Sequence, residues 1–525
     1  MNGTEKIEVR ITSAPLPRHE PLALYERLAA DRPATDVFLL ESLSGSAEDR
    51  RSAVVGVGRL AEIRVYERHV EIDGVPAVTA VLARAARSAG LAPQVPPGAE
   101  EGVHRLRFTG QDQLWEALGR LRRTFELSGG PPPSAYAFGF LASFAYESAW
   151  HMETLPKRSK TPHGPDITLS LFRDTVWYDV SGAVPRHLRA FSTEFAQAPA
   201  AADVAEAAAA AARAVAAAVP EAPAPRAVRD SVGRETFLGW AERCLEHIRV
   251  GDLYQIQLGH RIDVTTDLAP LDVYRRLRGR NPSPYMYVMP RAGGTLIGAS
   301  PELFLRIEPD AVAGDEIVMR PIAGTARRGP DEEENRRRVK EMRESSKEQA
   351  EHIMLVDLCR NDIGRVSRPS TQPVERLMEV ESFSHVFHLV STVSGRLAPD
   401  VDVWQAVRAT FPAGTMTGAP KLRAMEVIDG LEEERRGGYA GAVGLIDVRG
   451  WSELALCIRT IEYDGTTYST QSSAGMVAQS DPAAEWRETL AKMGAAYWAL
   501  TGEELPAGEE AAGAAVDSDS ERTRP

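Results

Sequence analysis

The alanine- and proline-rich stretch at residues 196–228 constrains the fold more than any other feature of the sequence. Residues 207–218 are alanine except for Arg213 and Val215, and Pro220, Pro223 and Pro225 follow. Alanine is the best helix former and proline cannot continue a helix, so the stretch predicts a surface helix that ends in a stiff linker. The chain is thereby divided into an N-terminal part (1–195), this segment, a C-terminal part (229–502) and a tail (503–525).

The net charge of −13 is unevenly spread, and −5 of it lies in the tail. Residues 503–525 contain seven acidic side chains and two arginines, with one leucine, one valine and no aromatic residue. This composition predicts a disordered tail. The rest of the chain is mildly acidic and has no basic stripe, which argues against nucleic acid as a partner.

The cysteine content and the hydropathy favour a cytoplasmic protein. Three cysteines in 525 residues cannot form a disulfide framework, and their spacing does not match a zinc site. The first 13 residues lack the apolar core of a signal peptide, and no apolar run reaches the length of a membrane span.

Strand and helix patterns alternate along both parts of the chain. Strand-like runs occur at residues 37–40, 52–57, 63–72, 135–144, 168–180, 253–262, 285–289, 295–297 and 303–307. Helical patterns begin at Ser231 and cover residues 331–357, 420–429 and 482–501. Together these patterns predict a mixed α/β protein.

Two motif-like segments do not support the functions that they suggest. The glycines at positions 56 and 58 loosely match a dinucleotide-binding loop, but a strand pattern follows where that loop needs a helix. Cys244 lies within a helical pattern and lacks the small neighbours of a nucleophile turn. We therefore expect no dinucleotide site and no glutaminase activity in this chain.

Two pairs of glutamates are candidates for a metal site. Glu348 and Glu351 are three residues apart in one predicted helix, as are Glu485 and Glu488 in another, so each pair lies on one helix face. Such pairs are usually solvated, and Glu488 could instead form an ion pair with Lys492. If the two helices face each other, the four carboxylates would suit Mg²⁺.

A predicted helix start and several isolated polar residues add to the candidate site. Pro420 suits the first turn of a helix whose free N–H groups, with Lys421 nearby, would form an anion site. Glu302, His388 and Arg459 each lie within apolar, strand-like runs. A partly buried carboxyl group such as that of Glu302 can act as an acid near neutral pH.

A set of motifs identifies the chain as similar to the chorismate-utilising enzymes, and specifically to the large subunits of anthranilate synthase. The motifs are PIAGT at 321–325, EHIMLVDLCRND at 351–362, GAPK at 418–421, GYAGAVG at 438–444 and SAG at 473–475. The resemblance covers roughly residues 38–500. It implies one intertwined α/β fold in which two β-sheets pack together with helices outside.

The resemblance also implies roles for individual residues. Glu351 and Glu488 would bind Mg²⁺, supported by Glu348 and Glu485, and the metal would hold the ring carboxylate of chorismate. Glu302 would be the general acid and His388 would assist the loss of pyruvate. The remaining candidates for the substrate pocket are Ala323, Gly324, Thr325, Thr415, Thr417, Gly418, Tyr439, Arg459, Ala474, Gly475 and Lys492.

Two positions discriminate between reactions within this family. Gln255 occupies the place where enzymes that add water carry a basic lysine, and a neutral amide cannot serve as that base. Ala323 occupies the place where many aminodeoxychorismate synthases carry a nucleophilic lysine, and alanine has no nucleophile. Both residues favour the addition of ammonia at C2 of chorismate.

The resemblance therefore implies a cytoplasmic, Mg²⁺-dependent lyase that forms anthranilate and pyruvate through aminodeoxyisochorismate. The ammonia would come from a glutamine amidotransferase subunit, in a heterodimer or a heterotetramer. Three alternatives stay open: a paralogue that stops at aminodeoxyisochorismate, an aminodeoxychorismate synthase, and a non-catalytic regulator that binds tryptophan or chorismate.

Two segments resemble the site at which the family binds tryptophan as a feedback inhibitor. They contribute Glu41 and Ser42 from one segment, and Pro284, Tyr285 and Met286 from the other. Two nearby runs, residues 49–56 and 257–260, depart from the family pattern. We therefore expect a tryptophan site whose surroundings differ from those of its relatives.

Overall fold

A computed structural model describes residues 6–94, 102–158, 160–162, 164–199, 202–215, 218–369, 373–383 and 386–506. Most of the predicted disordered tail, from residue 507 onward, lies outside these residues. Within them the chain forms 24 strands and 11 α-helices in alternating groups. None of the helices in these ranges combines the length and the apolar character that a membrane crossing requires.

The strands are β1 (Ile7–Pro15), β2 (Val37–Glu41), β3 (Ser52–Val65), β4 (His69–Gly74), β5 (Ala92–Pro93), β6 (His104–Arg107), β7 (Phe125–Gly129), β8 (Gly139–Phe144), β9 (Ile167–Asp179), β10 (Arg186–Phe191), β11 (Ala227–Asp230), β12 (Gln255–Thr265), β13 (Tyr285–Arg291), β14 (Gly294–Ser300), β15 (Leu303–Glu308), β16 (Glu316–Met319), β17 (Ile322–Arg327), β18 (Val374–Ser382), β19 (Val386–Arg396), β20 (Gly418–Ala419), β21 (Ala442–Asp447), β22 (Ser452–Leu456), β23 (Thr460–Tyr463) and β24 (Tyr468–Met476).

The helices are α1 (Pro21–Ala29), α2 (Pro76–Ser88), α3 (Gln111–Arg123), α4 (Val204–Ala211), α5 (Arg234–Arg249), α6 (Pro270–Arg280), α7 (Glu332–Glu344), α8 (Ser346–Gly364), α9 (Val403–Thr410), α10 (Lys421–Leu431) and α11 (Pro482–Thr501).

Two long strands, β3 and β9, hold the β-structure together. They pair along most of their length, with a register shift between Arg59 and Ala61. The first half of β3 pairs with β2, and its second half pairs with β4. Likewise β9 pairs with β8 near its start and with β10 near its end. Each long strand thus belongs to two sheets, which are continuous at these strands.

The two sheets draw strands from both parts of the chain. One runs from β9 through β8, β21, β22, β15 and β16 to β19, which β17 and β18 flank. The other runs from β3 through β2, β13, β14, β23 and β24 to β12 and β11. The mixed fold predicted from the sequence, with helices packed outside paired sheets, is confirmed.

Several element boundaries differ from the predictions. The helix predicted at 331–357 is two helices, because Ser345 leaves the helical region (ψ 113°) and its side chain accepts a hydrogen bond from the Glu348 N–H as an N-cap. The alanine helix ends at Ala211, since the residues after it are exposed and no packing supports a longer helix. The helix predicted from Ser231 begins at Arg234.

A buried ionic cluster fastens the N-terminal part to the C-terminal part. Arg320, which is 2% exposed, precedes β17 and pairs with Asp49 and with Glu381 on β18. Asp49 also accepts a hydrogen bond from the Tyr285 hydroxyl at 3.1 Å. The burial of these charges makes each partner depend on the others.

We predict that Arg320→Met destabilises the fold, because it leaves two buried carboxylates without their cation. The expected loss is about 3–5 kcal/mol in the free energy of unfolding, measured by denaturant titration. The control is Arg336→Met on α7, whose ion pair with Glu332 is exposed and should contribute about 0.5 kcal/mol or less. Equal losses in the two variants would contradict this role of the cluster.

Candidate functional site

The antiparallel pairing of β12 with β24 forms the floor of the candidate site. Gln257 lies directly opposite Gly475, and the preceding residues of β12 pair with the short strand β20, where Gln255 lies opposite Ala419. Side chains two residues apart on a strand share a face. Gln255 and Gln257 therefore face the same side of the sheet, over Gly475.

The first glutamate pair comes to this floor from α8. The Gln255 Nε2 donates to Glu351 Oε1 at 3.5 Å, and Glu351 Oε1 would lie 3.7 Å from a Cβ atom placed on Gly475. Glu348 Oε2 would lie 3.3 Å from a Cβ atom on Gly324, one turn earlier on the helix. The two carboxylates thus border two of the predicted pocket glycines.

The second pair comes from α11, on the other side of β24. Glu488 Oε1 lies 2.6 Å from Lys492 Nζ, so the ion pair considered from the sequence is present. The same ammonium donates to the Ser473 carbonyl at 2.9 Å, and Arg459 donates to the Lys492 carbonyl at 2.5 Å. Glu485 is buried one turn before Glu488.

The two pairs do not converge into a closed metal cage. Among the described residues, no three acidic, histidine or cysteine side chains are close enough to hold an ion by themselves. Mg²⁺ nevertheless needs only one or two protein carboxylates, because water and substrate oxygens complete its shell. Glu351, beside Gly475, and Glu488, beside Lys492, are carboxylates of the kind that this chemistry uses.

A cationic and hydroxyl-rich cradle lies beside Gly475. The Tyr439 hydroxyl and Ser473 Oγ are 2.7 Å apart, and Ser473 Oγ donates to Gln257 Oε1 at 2.8 Å. Arg459 adopts a left-handed backbone conformation (φ 53°), which is uncommon outside glycine and is typical of functional sites. Burial lowers the pKa of Arg459 from its ordinary value, although the guanidinium stays charged.

Glu302 has the properties of an acid that keeps its proton. It is 6% exposed and lies between β14 and β15. Burial raises the pKa of its carboxyl group to about 8, and interactions with Thr415 and the Ile322 backbone oppose this rise only in part. Glu302 can therefore donate a proton at neutral pH.

His388 is fixed as a neutral imidazole next to the predicted pocket strand. Its Nδ1 lies 3.0 Å from the Gly324 carbonyl and 3.1 Å from the Thr325 hydroxyl, across the β17–β19 pairing. Burial lowers the pKa of the ring to about 4. Ala323, in β17, is 9% exposed and presents only a methyl group.

The prediction of an anion site at Lys421 was wrong. The Lys421 ammonium lies 2.9 and 2.8 Å from the two oxygens of buried Asp362 and 3.0 Å from the Thr410 carbonyl, so its charge is already neutralised. Pro420 is the N-cap residue, and its side chain makes no capping hydrogen bond. Gly418 instead serves a close backbone approach, since a Cβ atom there would meet the Gln255 carbonyl at 2.2 Å.

Thr417 likewise has a structural partner. Its hydroxyl donates to the Ala413 carbonyl at 3.1 Å, and its own carbonyl accepts the Gln257 N–H at 2.8 Å. Thr415 differs, because its buried hydroxyl makes no hydrogen bond of normal geometry with the residues that the structure describes. Its place beside Glu302 keeps it available to a bound molecule.

The five predicted tryptophan-binding residues line one small cavity. Its volume is about 50 Å³, far below the roughly 300 Å³ of a typical small-molecule site. The chain's own Trp177 and Trp451 also line this cavity. Within the cavity the Glu41 carboxylate already accepts hydrogen bonds from the Tyr274 hydroxyl and Arg278. Tryptophan binding stays a prediction.

Three residues of the site carried no functional prediction from the sequence. Gln257 and Ser473 complete the cradle, and buried Arg436 donates to the Gln257 and Met416 carbonyls while lying 5.8 Å from the centre of the Tyr439 ring. Gln255 and Gln257, at alternate positions of an apolar strand, were a signal in the sequence from which the role of Gln257 could have been predicted. The sequence around Arg436 carried no such signal.

Comparison with known proteins places these features in a family. The profile of the family described as chorismate binding enzyme matches residues 92–497, which is more than half of the chain. A curated relative, the 2-amino-4-deoxychorismate synthase of Streptomyces globisporus, is 44% identical over 96% of this chain and 97% of its own length. Anthranilate synthase component 1 of Mycolicibacterium smegmatis is 37% identical over 90% of this chain and 86% of its own.

Solved structures agree with the sequence comparison. Anthranilate synthase component I from Streptococcus pneumoniae has a TM-score of 0.64 at 27% identity, and the match covers 85% of this chain and 92% of that one. The menaquinone-specific isochorismate synthase from Escherichia coli has the same fold at 17% identity, with a TM-score of 0.64 over 94% of this chain and 95% of its own. The chain therefore belongs to the chorismate binding enzyme family.

Proposed function

We propose that this protein adds ammonia to C2 of chorismate and expels the C4 hydroxyl group. One observation carries the choice of nucleophile: Gln255, 1% exposed, presents a neutral amide beside Glu351 and Gly475. Its Oε1 is buried without a hydrogen-bond partner among the described residues. This oxygen can accept an N–H from ammonia, whereas an amide cannot deprotonate water.

The substrate's two carboxylates match the two polar ends of the site. We assign the ring carboxylate to the side of Glu351 and Glu488, where Mg²⁺ would supply the positive charge that attracts it. We assign the enolpyruvyl carboxylate to Tyr439, Arg459, Lys492 and the backbone of residues 474–475. Arg459 supplies the cationic charge at this second end, while the Lys492 ammonium is shared with Glu488 at 2.6 Å.

The chemical step needs one acid and one nucleophile. The nitrogen forms a bond to C2, the ring double bonds shift, and the C4–O bond breaks while Glu302 gives its proton to the departing hydroxyl group. The high pKa of Glu302 supports this role, because the carboxyl group is protonated before the substrate arrives. Ala323 offers no competing nucleophile.

The favoured product retains the enolpyruvyl group. The relative from Streptomyces globisporus matches nearly the whole chain, and its name describes a chorismate with an amine at C2 and no oxygen at C4. That compound has the constitution of aminodeoxyisochorismate. The second candidate product is anthranilate with release of pyruvate; it is supported by the anthranilate synthase relatives and by neutral His388 beside Gly324.

The ammonia is assigned to a separate glutamine amidotransferase subunit. Cys244, the residue considered as a nucleophile, is fully buried inside α5, and burial raises the pKa of its thiol to about 12. Such a thiol is not a nucleophile at neutral pH. Excess ammonium should therefore replace the partner in an assay of the isolated chain.

Product analysis distinguishes the two candidates. The protein is incubated with chorismate, ammonium and Mg²⁺, and the reaction is followed by mass spectrometry, a coupled pyruvate assay and anthranilate fluorescence. We expect an amine whose mass still includes the enolpyruvyl group. Pyruvate should stay well below one equivalent per chorismate consumed. Stoichiometric pyruvate with anthranilate would favour the second candidate, and isochorismate would refute amination.

We predict that kcat/KM for chorismate, compared at equal concentrations of free ammonia, is constant below pH 8 and falls tenfold per pH unit above it. The reason is that Glu302, with a pKa of about 8, must be protonated to act as an acid. Glu302→Gln should lower kcat by about 10²–10⁴-fold and remove this alkaline limb. Glu316→Gln, the same change on β16 in an ion pair with Arg396, is the control and should keep both rate and profile.

We predict that Glu351→Gln abolishes turnover by removing a carboxylate ligand. The expected effect is a loss of more than about 100-fold in activity together with weaker Mg²⁺ binding in calorimetry, while the thermal midpoint is kept. Glu341→Gln on the exposed face of α7 is the matched control. Unchanged activity and Mg²⁺ affinity in Glu351→Gln would refute the metal assignment.

A further inference from the structure

The side-chain amide of Gln257 has a hydrogen-bonded oxygen and a nitrogen that no described residue bonds. Its Oε1 accepts the Ser473 hydroxyl at 2.8 Å, and its backbone is held by Thr417 on one side and by Arg436 on the other. No acceptor among the described residues bonds its Nε2. The side chain as a whole is buried, at 8% exposed.

The strand register directs the free donor into the candidate site. Gln257 is paired with Gly475, and its Nε2 would lie 2.9 Å from a Cβ atom on that glycine. The Gln255 Nε2 would lie 3.0 Å from the same point. Two amide groups therefore converge above Gly475, and a side chain at residue 475 would crowd both of them.

The groups around this donor define the charge of its ligand. Ser473 bonds the Gln257 oxygen, and the Tyr439 hydroxyl bonds Ser473 in turn. Lys492 bonds the Ser473 carbonyl, and Arg459 bonds the Lys492 carbonyl. Lys492 is also paired with Glu488 at 2.6 Å, so Arg459 supplies the net positive charge near this donor. A free N–H beside a guanidinium and a hydroxyl group favours a carboxylate, which accepts several charge-assisted hydrogen bonds.

We propose that Gln257 is a specificity-determining residue that contacts the substrate and donates its free carboxamide N–H to the enolpyruvyl carboxylate. This inference rests on the proposed function for the identity of the substrate. Because Ser473 holds Oε1, the amide cannot rotate away, and the donor is pre-organised for the ligand.

The contact is tested by direct binding, which does not require turnover. Gln257→Met keeps the length of the side chain and removes both its donor and its acceptor, and Gln257→Glu keeps the shape while placing a negative charge in the cradle. The control is Gln471→Met. Gln471 lies two residues before Ser473 on the same face of β24, and it is paired with Arg261. Calorimetry with Mg²⁺ present measures the Kd of chorismate and of benzoate, which has a ring carboxylate but no enolpyruvyl group.

We expect Gln257→Met to weaken chorismate about 10- to 100-fold and Gln257→Glu to weaken it further, while benzoate binding changes less than about twofold. Gln471→Met should leave both affinities unchanged. Unchanged chorismate affinity in Gln257→Met would overturn the proposal, as would equal losses for the two ligands, because these would indicate a structural role. If the native protein binds chorismate but forms no amine, the proposed function fails while this contact is still tested.

Discussion

The pairing of β12 with β24 is the constraint on which the rest of the site depends. It places Gln257 opposite Gly475, and β20 extends the same register to Gln255. A slip of one residue would turn both amides to the opposite face of the sheet. Helices α8 and α11 then bring their glutamates to this floor from different sides. The register therefore determines which residues each carboxylate contacts.

Burial divides the polar residues of the site into neutral and charged groups. Glu302 and His388 are buried and neutral at pH 7, because desolvation raises the pKa of the carboxyl group and lowers that of the imidazole. Arg459 stays charged although burial lowers its pKa, and it bonds the Lys492 carbonyl beside Ser473. A dianionic substrate would therefore meet a cation at its carboxylate and an uncharged proton donor at its leaving group, which is the arrangement that amination with loss of hydroxide requires.

Local sequence was enough to predict many of the elements, and long-range contacts account for the errors at the site. The helix at 482–501 has the predicted bounds, because Asp481 and Pro482 mark its start and Gly502 its end. The anion site at Lys421 was predicted wrongly, because the partner of Lys421, Asp362, lies 59 residues away in the chain. The bond between Ser473 and Gln257 joins residues 216 positions apart, and no local pattern reports such a contact. Glu302 was found because an isolated carboxyl group in an apolar run predicts burial.

The central claim is that a neutral amide at Gln255 directs nitrogen, and not water, to C2 of chorismate. The most direct measurement is NMR of the product formed from chorismate and ¹⁵N-labelled ammonium in the presence of Mg²⁺. The account predicts a ¹⁵N–¹³C coupling at C2 of a ring that has lost its C4 oxygen. Nitrogen bound at C4, or a hydroxyl group at C2 without incorporated nitrogen, would contradict it.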